Sequence, residues 1–467
     1  MAQNLAVNPR IFREYDIRGT VGEDLTAEVV ASIGKAFGTD IIRSGLRNVV
    51  VGRDIRPSSP DFASTLCEAV LSTGCNVTDI GMVPTPVLYF SLHLLDSDGG
   101  VVITGSHNPP QFNGLKVCKG KHTISGKEIQ RLREIIEGGD FASGTGRLDK
   151  RDVENDYVDY LFKNSIDMDV MRYGRKVKVV VDAGNGTASV LAPRLLSRMG
   201  CEVIPIYCEF DGSFPNHFPD PSVVENLAAL SEKVVETGAM AGIAFDGDAD
   251  RIGVLDEKGR PIWGDILLLL YARQVLADHP GAKVISEVKC SQVLEQEIER
   301  LGGQSIMWRT GHSLIERKVL EEKALLAGEM SGHMYFADRY LGFDDAIYSA
   351  CRLAEILAQA DDPLSETIGA LPKTYSTPEI RVPCPDEEKF RIVDAIAAEL
   401  KKDHKVIDID GARVVYEKGW GLIRASNTQP VLVLRFEAQT EELLEEIRSD
   451  FKALLCRYPS VEISGIL

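Results

Sequence analysis

The sequence predicts a multidomain α/β chain, with three units of one strand–loop–helix design and a smaller α+β domain at the carboxyl end. Three observations carry this expectation. A short β-branched run, a Gly-rich or polar loop and a helical stretch recur three times, spaced by roughly a hundred residues or a little more. The texture changes after about residue 372. The length, 467 residues, suits about three or four domains at roughly 150 residues each.

The first unit opens at Asn48-Val-Val-Val-Gly-Arg-Asp-Ile-Arg and continues into a helical stretch over Pro60–Thr73. The second opens at Lys176-Val-Lys-Val-Val-Val-Asp-Ala-Gly-Asn-Gly-Thr and leads into Ala188–Met199. The third opens at Ala282-Lys-Val-Ile-Ser-Glu-Val-Lys-Cys-Ser and leads into Gln292–Leu301. Strands alternating with helices of this length imply substantially parallel sheets, although any α/β protein offers such units. Beyond residue 372 the chain reads as an extended segment over Lys373–Pro385, then a helix over Asp386–Lys402. That helix should bury Phe390, Val393, Ile396, Ala397 and Leu400 on one face. Strands follow at Val406-Ile-Asp-Ile, Ala412-Arg-Val-Val-Tyr and Val431-Leu-Val-Leu-Arg-Phe-Glu, and a last helix over Glu441–Cys456 sets Leu444, Ile447, Phe451 and Leu455 on one side. Seams are expected in Gly138–Asp152, at the turn Asp256-Glu-Lys-Gly and at Ala370-Leu-Pro-Lys, which divides the chain into 1–150, 151–257, 258–371 and 372–467.

Composition narrows the function. Apolar residues make up 44% of the chain, enough for several cores. The net charge of −18 argues against a general nucleic-acid binder, which needs a basic surface to displace counterions, but leaves room for a local basic pocket. The longest apolar run, Ile266–Ala272, is too short to span a bilayer, and the amino-terminal residues show no signal pattern. Nine scattered cysteines with no Cys-x-x-Cys fit reduced thiols in the cytoplasm.

Four motifs carry candidate chemistry. In Gly100-Val-Val-Ile-Thr-Gly-Ser-His-Asn-Pro-Pro an apolar strand runs into Ser106 and His107, with Gly105 permitting a tight turn and the prolines ending the strand. An exposed serine beside a histidine suits a nucleophile or phosphoryl carrier, and the same residues make an ordinary turn. In Gly242-Ile-Ala-Phe-Asp-Gly-Asp-Ala-Asp-Arg, the carboxylates of Asp246, Asp248 and Asp250 repel one another unless a cation joins them. Hard oxygen ligands suit Mg²⁺ or Ca²⁺. A calcium loop of the EF-hand type would take Glu257 at its twelfth position, but it wants glycine where Arg251 stands and helices where strands are expected. A Mg²⁺ site completed by a phosphate oxygen, with Arg251 as a further positive group, is preferred over that loop and over a solvated acidic turn. Gly419-Trp-Gly-Leu-Ile-Arg-Ala-Ser-Asn-Thr-Gln-Pro offers Arg424, Ser426, Asn427 and Thr428 in one loop, either a phosphate clamp or a polar β-turn. In Gly328-Glu-Met-Ser-Gly-His, Glu329 and Ser331 would face one way in an extended loop and could grip vicinal sugar hydroxyls, though an ordinary loop is the commoner reading. Arg13-Glu-Tyr-Asp-Ile-Arg-Gly, Asn113-Gly-Leu-Lys116, Glu287-Val-Lys289-Cys and Arg309-Thr-Gly-His312-Ser are lesser candidates that ordinary surface could equally supply.

In combination and in this order, from Arg13-Glu-Tyr-Asp-Ile-Arg-Gly to Arg424-Ala-Ser-Asn-Thr-Gln-Pro, the motifs resemble the α-D-phosphohexomutase superfamily, specifically its phosphomannomutase/phosphoglucomutase group. The resemblance implies four domains in a heart shape, three α/β with mixed sheets and a fourth with a TATA-binding-protein-like α+β fold. It implies that Ser106 carries a phosphoryl group and that Asp246, Asp248 and Asp250 hold Mg²⁺ together with a phosphoserine oxygen. The phosphoryl group would pass to a hexose phosphate, and the bisphosphorylated sugar would turn around and return its other phosphate. A catalytic glucose or mannose 1,6-bisphosphate is the implied activator.

His107, Lys116, Arg18, Lys289 and His312 are the implied candidates for acid and base, with Lys116 and Arg18 expected nearest the transferring proton. Arg424, Ser426, Asn427 and Thr428, with Tyr15, would hold the distal phosphate, and Glu329, Ser331 and His333 would face the sugar. A grip on the 3- and 4-hydroxyls leaves carbon 2 unread, which predicts use of both glucose and mannose. Phosphoglucosamine mutase is the nearest alternative, and Thr-Gly-Ser-His with Met330 favours the dual-sugar group. A metal-dependent phosphatase and a non-catalytic sugar-phosphate sensor are less favoured. The expected partners are phosphorylated hexoses, with no nucleic acid and no membrane, and the expected assembly is a monomer or weak homodimer.

Overall fold

The computed structural model describes residues 7–427 and 429–463. Four sheets order the chain. The first runs Ile17–Thr20, Phe112–Lys119, Gly99–Ile103, Asn48–Arg53, Asn76–Met82 and Leu148–Lys150, with His122–Thr123 paired on Phe112–Lys119. The second runs Pro261–Ile262, Ile252–Leu255, Ala241–Phe245, Lys178–Asp182 and Glu202–Ile206. The third runs Gln304–Trp308, Lys283–Glu287, Leu326–Gly328 and Met334–Phe336.

One pattern repeats inside all three sheets. The predicted opening strand, Asn48–Arg53, Lys178–Asp182 or Lys283–Glu287, lies between two parallel neighbours. The third strand of each repeat is then followed by an antiparallel return, at Phe112–Lys119, Ile252–Leu255 and Met334–Phe336. The threefold design is therefore a shared strand order, and each sheet is mixed. The opening strands read as near-continuous Val/Ile runs because helices cover both faces of a parallel core. Val49, Val50, Val51, Val179, Val180, Val181, Val284 and Ile285 are all buried.

The predicted helices appear as Ser59–Leu71, Ala188–Arg198 and Gln292–Arg300. Ser291 caps the last of these, its Oγ accepting from the Val293 amide at 3.1 Å. The turn at Asp256–Gly259 joins two antiparallel strands of the second sheet. No described helix is long and apolar enough to cross a membrane. All nine cysteines are free thiols, and only Cys456 is exposed.

The fourth sheet is antiparallel throughout, with strands Tyr375–Ser376, Val431–Ala438, Gly419–Ala425, Ala412–Tyr416 and Lys405–Ile407 in that order and Ile380–Pro383 on the side of Val431–Ala438. Helices Asp386–Leu400 and Glu441–Leu455 pack with it around one core. Two local expectations are corrected here. Phe390 is exposed, because the buried arc of its helix centres on Lys389, Ile392, Val393, Ile396 and Leu400, and Phe390 stands at the edge of that arc. Gly419–Ala425, read as part of a polar loop, is a fully buried strand, so Arg424 projects from a strand end.

Candidate active site

The candidate residues fall at one topological place. In each α/β repeat, the connection from the third parallel strand to its antiparallel return carries a motif: 104–111, 246–251 and 329–333. The fourth sheet does the same between Gly419–Ala425 and Val431–Ala438. Ligands in open α/β sheets sit off the carboxyl ends of parallel strands, and here such an end is used three times.

The serine loop is held from below. Ser106 is buried in the left-handed region, at φ +49°, a conformation a non-glycine residue keeps only when its surroundings impose it. The imposing group is Arg56. Its Nη1 donates to the carbonyls of Pro109 (2.7 Å) and Phe112 (3.0 Å), and its Nη2 to those of Ser106 (2.7 Å) and Asn108 (2.6 Å). Asp54 neutralises it, Oδ2 accepting from Nε at 3.1 Å, and also accepts from the Gly105 amide at 3.1 Å. A Cβ on Gly105 would run into the Arg56 guanidinium, so only glycine lets the loop lie this close. The Ser106 hydroxyl then stands 2.8 Å from Asp246 Oδ2 and 3.0 Å from His107 Nδ1. Burial, with the charges of Arg251 and Arg18 nearby, lowers the His107 pKa well below the ordinary histidine value, so the imidazole is neutral.

Asp246, Asp248 and Asp250 are fully buried, and ligand oxygens from all three lie within 4.8 Å of one another. Lys116, on strand Phe112–Lys119, reaches Asp248 Oδ2 at 2.8 Å and pairs also with Asp250. Thr85 donates its hydroxyl to Asp248 Oδ2 at 2.6 Å. Burial pushes the Asp246 carboxyl well above the ordinary range, and the charges of Asp250 and Asp248 add to it. Burial is the largest influence on Asp248 and Asp250 and works against their charge, but Lys116, joined by the Thr85 hydrogen bond at Asp248 and by the Arg251 charge at Asp250, leaves both below the ordinary value. Burial disfavours the Lys116 charge in turn, and the two carboxylates more than restore it.

A cluster that drives one of its own carboxylates toward the neutral acid is short of positive charge. Asp248 Oδ1 and Asp250 Oδ1 are also buried with no hydrogen-bond partner. Hard oxygen donors with free lone pairs fit a divalent cation. The calcium-loop reading fails, because strands flank the cluster and Glu257 is turned away to accept from the Ser365 amide at 3.2 Å.

Arg251 donates from Nε to His333 Nε2 at 3.0 Å. An arginine can only donate, so His333 carries its proton on Nδ1, 2.7 Å from Asp344 Oδ2. The Arg251 guanidinium is thereby held by His333, with the Asp344 and Asp250 carboxylates 2.7 Å and 3.8 Å from the far ring nitrogen. The loop 329–333 is a tight turn, closed by the Gly332 amide on the Glu329 carbonyl at 3.0 Å. The extended-loop alternation expected for Glu329 and Ser331 therefore does not hold. Glu329 is buried and accepts from the Gly311 amide at 2.7 Å, with its carboxyl pKa raised by burial, while Ser331 is half-buried. His312 is buried with its ring stacked on His333, centroids 5.7 Å apart. Lys289 pairs with Glu379 of the last domain at 2.9 Å.

Tyr15 joins three parts of the chain. Its hydroxyl donates to the Thr310 carbonyl at 2.6 Å and accepts from Asn427 Nδ2 at 2.6 Å. Arg18 pairs with Asp16 at 2.6 Å, and Arg424 with Asp410 at 2.9 Å. Ser426 is buried beside them, and Thr428 lies outside the described residues. The structure thus brings together Tyr15, Arg424 and Asn427, the pair Ser106 and Asp246, and the pair Arg251 and His333. Sequence reasoning missed Asp54, Arg56, Thr85, Asp344, Glu379 and Asp410. Asp54 and Arg56 had one available signal, as charged residues immediately past the carboxyl end of a buried parallel strand.

Four sheets whose loops meet through Ser106 and Asp246, Arg251 and His333, and Tyr15 and Asn427 define a class of protein, and comparison with known proteins identifies it. Family models match the chain in order over residues 9–143, 155–259, 263–375 and 379–454, described as phosphoglucomutase/phosphomannomutase α/β/α domains I, II and III and the C-terminal domain. The chain belongs to the phosphoglucomutase/phosphomannomutase family, as the motifs indicated. It is 49% identical over 443 residues to phosphomannomutase/phosphoglucomutase of Pseudomonas aeruginosa, covering 95% of this chain and 94% of that one. It is 41% identical over 456 residues to phosphoglucomutase of Neisseria meningitidis serogroup A, covering 97% and 98%. Among solved structures, a family member from Burkholderia thailandensis superposes with a TM-score of 0.89 at 42% identity, covering 97% of this chain and 99% of that one.

Proposed function

We propose that this enzyme interconverts hexose 1-phosphate and hexose 6-phosphate, with mannose and glucose as the sugars, through a phosphoserine and a bisphosphorylated intermediate. The observation that carries the proposal is the Ser106 hydroxyl held against Asp246 at 2.8 Å, beside two carboxylates with unpartnered oxygens.

Asp246, Asp248 and Asp250, with an oxygen on Ser106, would hold Mg²⁺, which when bound supplies charge neutralisation to the transferring phosphoryl group. Arg251, aimed by His333, adds positive charge on the same side. In the forward step the bond from phosphorus to Ser106 Oγ breaks and one to the sugar hydroxyl forms. The hydroxyl proton leaves to a base, and Ser106 Oγ regains a proton. His107, 3.0 Å from Oγ, is assigned to that proton: as the neutral imidazole it takes it from Ser106 when the serine is phosphorylated, and as the resulting imidazolium it returns it when the phosphoryl group leaves. Lys116 and Arg18 are assigned to the same region, with Arg18 as an orienting cation because arginine stays protonated. Tyr15, Arg424, Ser426, Asn427 and Thr428 are assigned to the distal phosphate, with Lys289 and His312 lining the path. Glu329, Ser331 and His333 are assigned to the sugar. A hexose 1,6-bisphosphate is assigned as activator, and the cytoplasm as the site of action.

The test is incubation with glucose 1-phosphate and mannose 1-phosphate, Mg²⁺ and catalytic hexose 1,6-bisphosphate. Appearance of the 6-phosphates without free phosphate is expected, with a phosphoryl adduct on the protein by intact mass. Ser106→Ala should lose both. Turnover by that variant at the parent rate would refute the reading, as would free phosphate as the main product.

A further inference from the structure

Arg424 has two edges, and among the described residues only one is used. Nε donates to Asp410 Oδ2 at 2.9 Å, while Nη1 and Nη2 make no hydrogen bond to the described residues. The guanidinium is almost entirely buried at the end of strand Gly419–Ala425. Removing a charge from water is costly unless it is paired, and Asp410 pairs it without taking the Nη edge, which is the edge a phosphate would take.

The same carboxylate oxygen also accepts from the Thr310 amide at 3.1 Å. Thr310 belongs to the third α/β unit and Asp410 to the last domain. The Thr310 carbonyl is held by Tyr15 of the first unit, and Tyr15 accepts from Asn427. Asp410 can approach because Gly411 precedes strand Ala412–Tyr416 at φ +81°, where a Cβ would sit 2.7 Å from that of Arg424.

We propose that Asp410 is a positioning residue for the phosphate clamp. Its carboxylate holds Arg424 by the Nε edge and the Thr310 amide at the same time. The Nη edge is thereby presented to a phosphate dianion in register with the sugar-facing loop, and only while the last domain is docked. This rests on the reading of Arg424 as the clamp.

The test is a double-mutant cycle on the full chain with glucose 1-phosphate. Arg424→Ala should raise KM strongly. Asp410→Asn, which keeps shape and loses charge, should raise KM by about ten- to a hundredfold, the worth of one charged hydrogen bond, with kcat falling threefold at most. The double variant should fall well short of the sum of the two single effects, because Asp410 acts mainly through Arg424; the part that remains beyond Arg424→Ala is the loss of its hold on the Thr310 amide. Asp410→Glu should recover part of the loss.

If Asp410→Asn lowers KM, the carboxylate competes with phosphate and the proposal is overturned. Additive effects in the double variant overturn it too, as does a loss in kcat with KM unchanged. An unchanged KM in Arg424→Ala removes the clamp itself, which separates failure of that reading from failure of this one.

Discussion

Arg56→Lys is the sharpest test of how the serine loop is built. The substitution keeps the charge that Asp54 neutralises and removes the planar fork. Arg56 now satisfies four carbonyls, those of Ser106, Asn108, Pro109 and Phe112, and also pairs with Asp54. An ammonium has three donors. With one kept by Asp54, no more than two remain for four acceptors, so two carbonyls lose this partner, and among the described residues only that of Pro109 has another, the Phe112 amide at 3.0 Å. At about 1–3 kcal/mol for each buried group left unpaired, the loss is about 2–6 kcal/mol. The lower half of that range is expected, because Asn108 and Pro109 are only half-buried. Freed of the fork, Ser106 relaxes from φ +49°, and its hydroxyl moves relative to Asp246. A displacement of about 1 Å costs on the order of a hundredfold in rate. The assay pairs denaturant unfolding with single-turnover phosphorylation of Ser106 by glucose 1,6-bisphosphate, followed by intact mass. Parent stability together with a phosphorylation rate within threefold of the parent would refute the argument that Arg56 sets the serine.

Two further outcomes concern the joints between domains. Gly311 adopts φ +133°, and an added Cβ would lie 2.5 Å from Tyr15 Cε1. Gly311→Ala should therefore cost about 1–3 kcal/mol in backbone strain, displace the Tyr15 hydroxyl from Thr310 and Asn427, and raise KM for glucose 1-phosphate by about tenfold or more; an unchanged KM would show that Tyr15 is dispensable there. Glu316, buried against Thr123 of the first unit, has its pKa raised from 4.5 to about 7 by burial, with Thr123 opposing and Asp344 adding. The folded chain keeps a proton there that the unfolded chain releases, so stability from this site is present at low pH and is lost as pH rises from about 4.5 through 7, by about 3 kcal/mol. Glu316→Gln should match the parent near pH 5 and exceed it at pH 8 in thermal midpoint, and parallel curves for the two proteins would contradict this.

The residues that announce themselves in the sequence are those whose chemistry is dense and local. Asp246, Asp248 and Asp250 alternate within five positions, and Ser106 ends an apolar strand at a Gly-Ser-His-Asn-Pro turn. The three opening strands were legible because a buried parallel strand is a short run of valine and isoleucine. Arg424 was legible as a cation, but its strand was not, since Gly419-Trp-Gly-Leu-Ile-Arg-Ala carries two glycines and no alternation. The extended reading of Glu329 and Ser331 failed because a hydrogen bond across four residues, Gly332 to Glu329, closes a turn that spacing alone does not reveal.

What the sequence determined by itself was the set of parts: α/β repeats, a serine ending an apolar strand, an acidic triad, an arginine beside Ser-Asn-Thr and the Gly-Glu-Met-Ser-Gly-His loop. Only the tertiary structure decided which parts meet. The triad lies 140 positions from the serine it faces, and Tyr15 lies 412 from Asn427. Those distances are closed by sheet order and domain docking, to which no short window of sequence responds. The supporting residues Arg56, Asp344 and Asp410 act through geometry on other residues. Their role is set by which carbonyl, ring nitrogen or guanidinium edge they face, and that is a property of the packed chain.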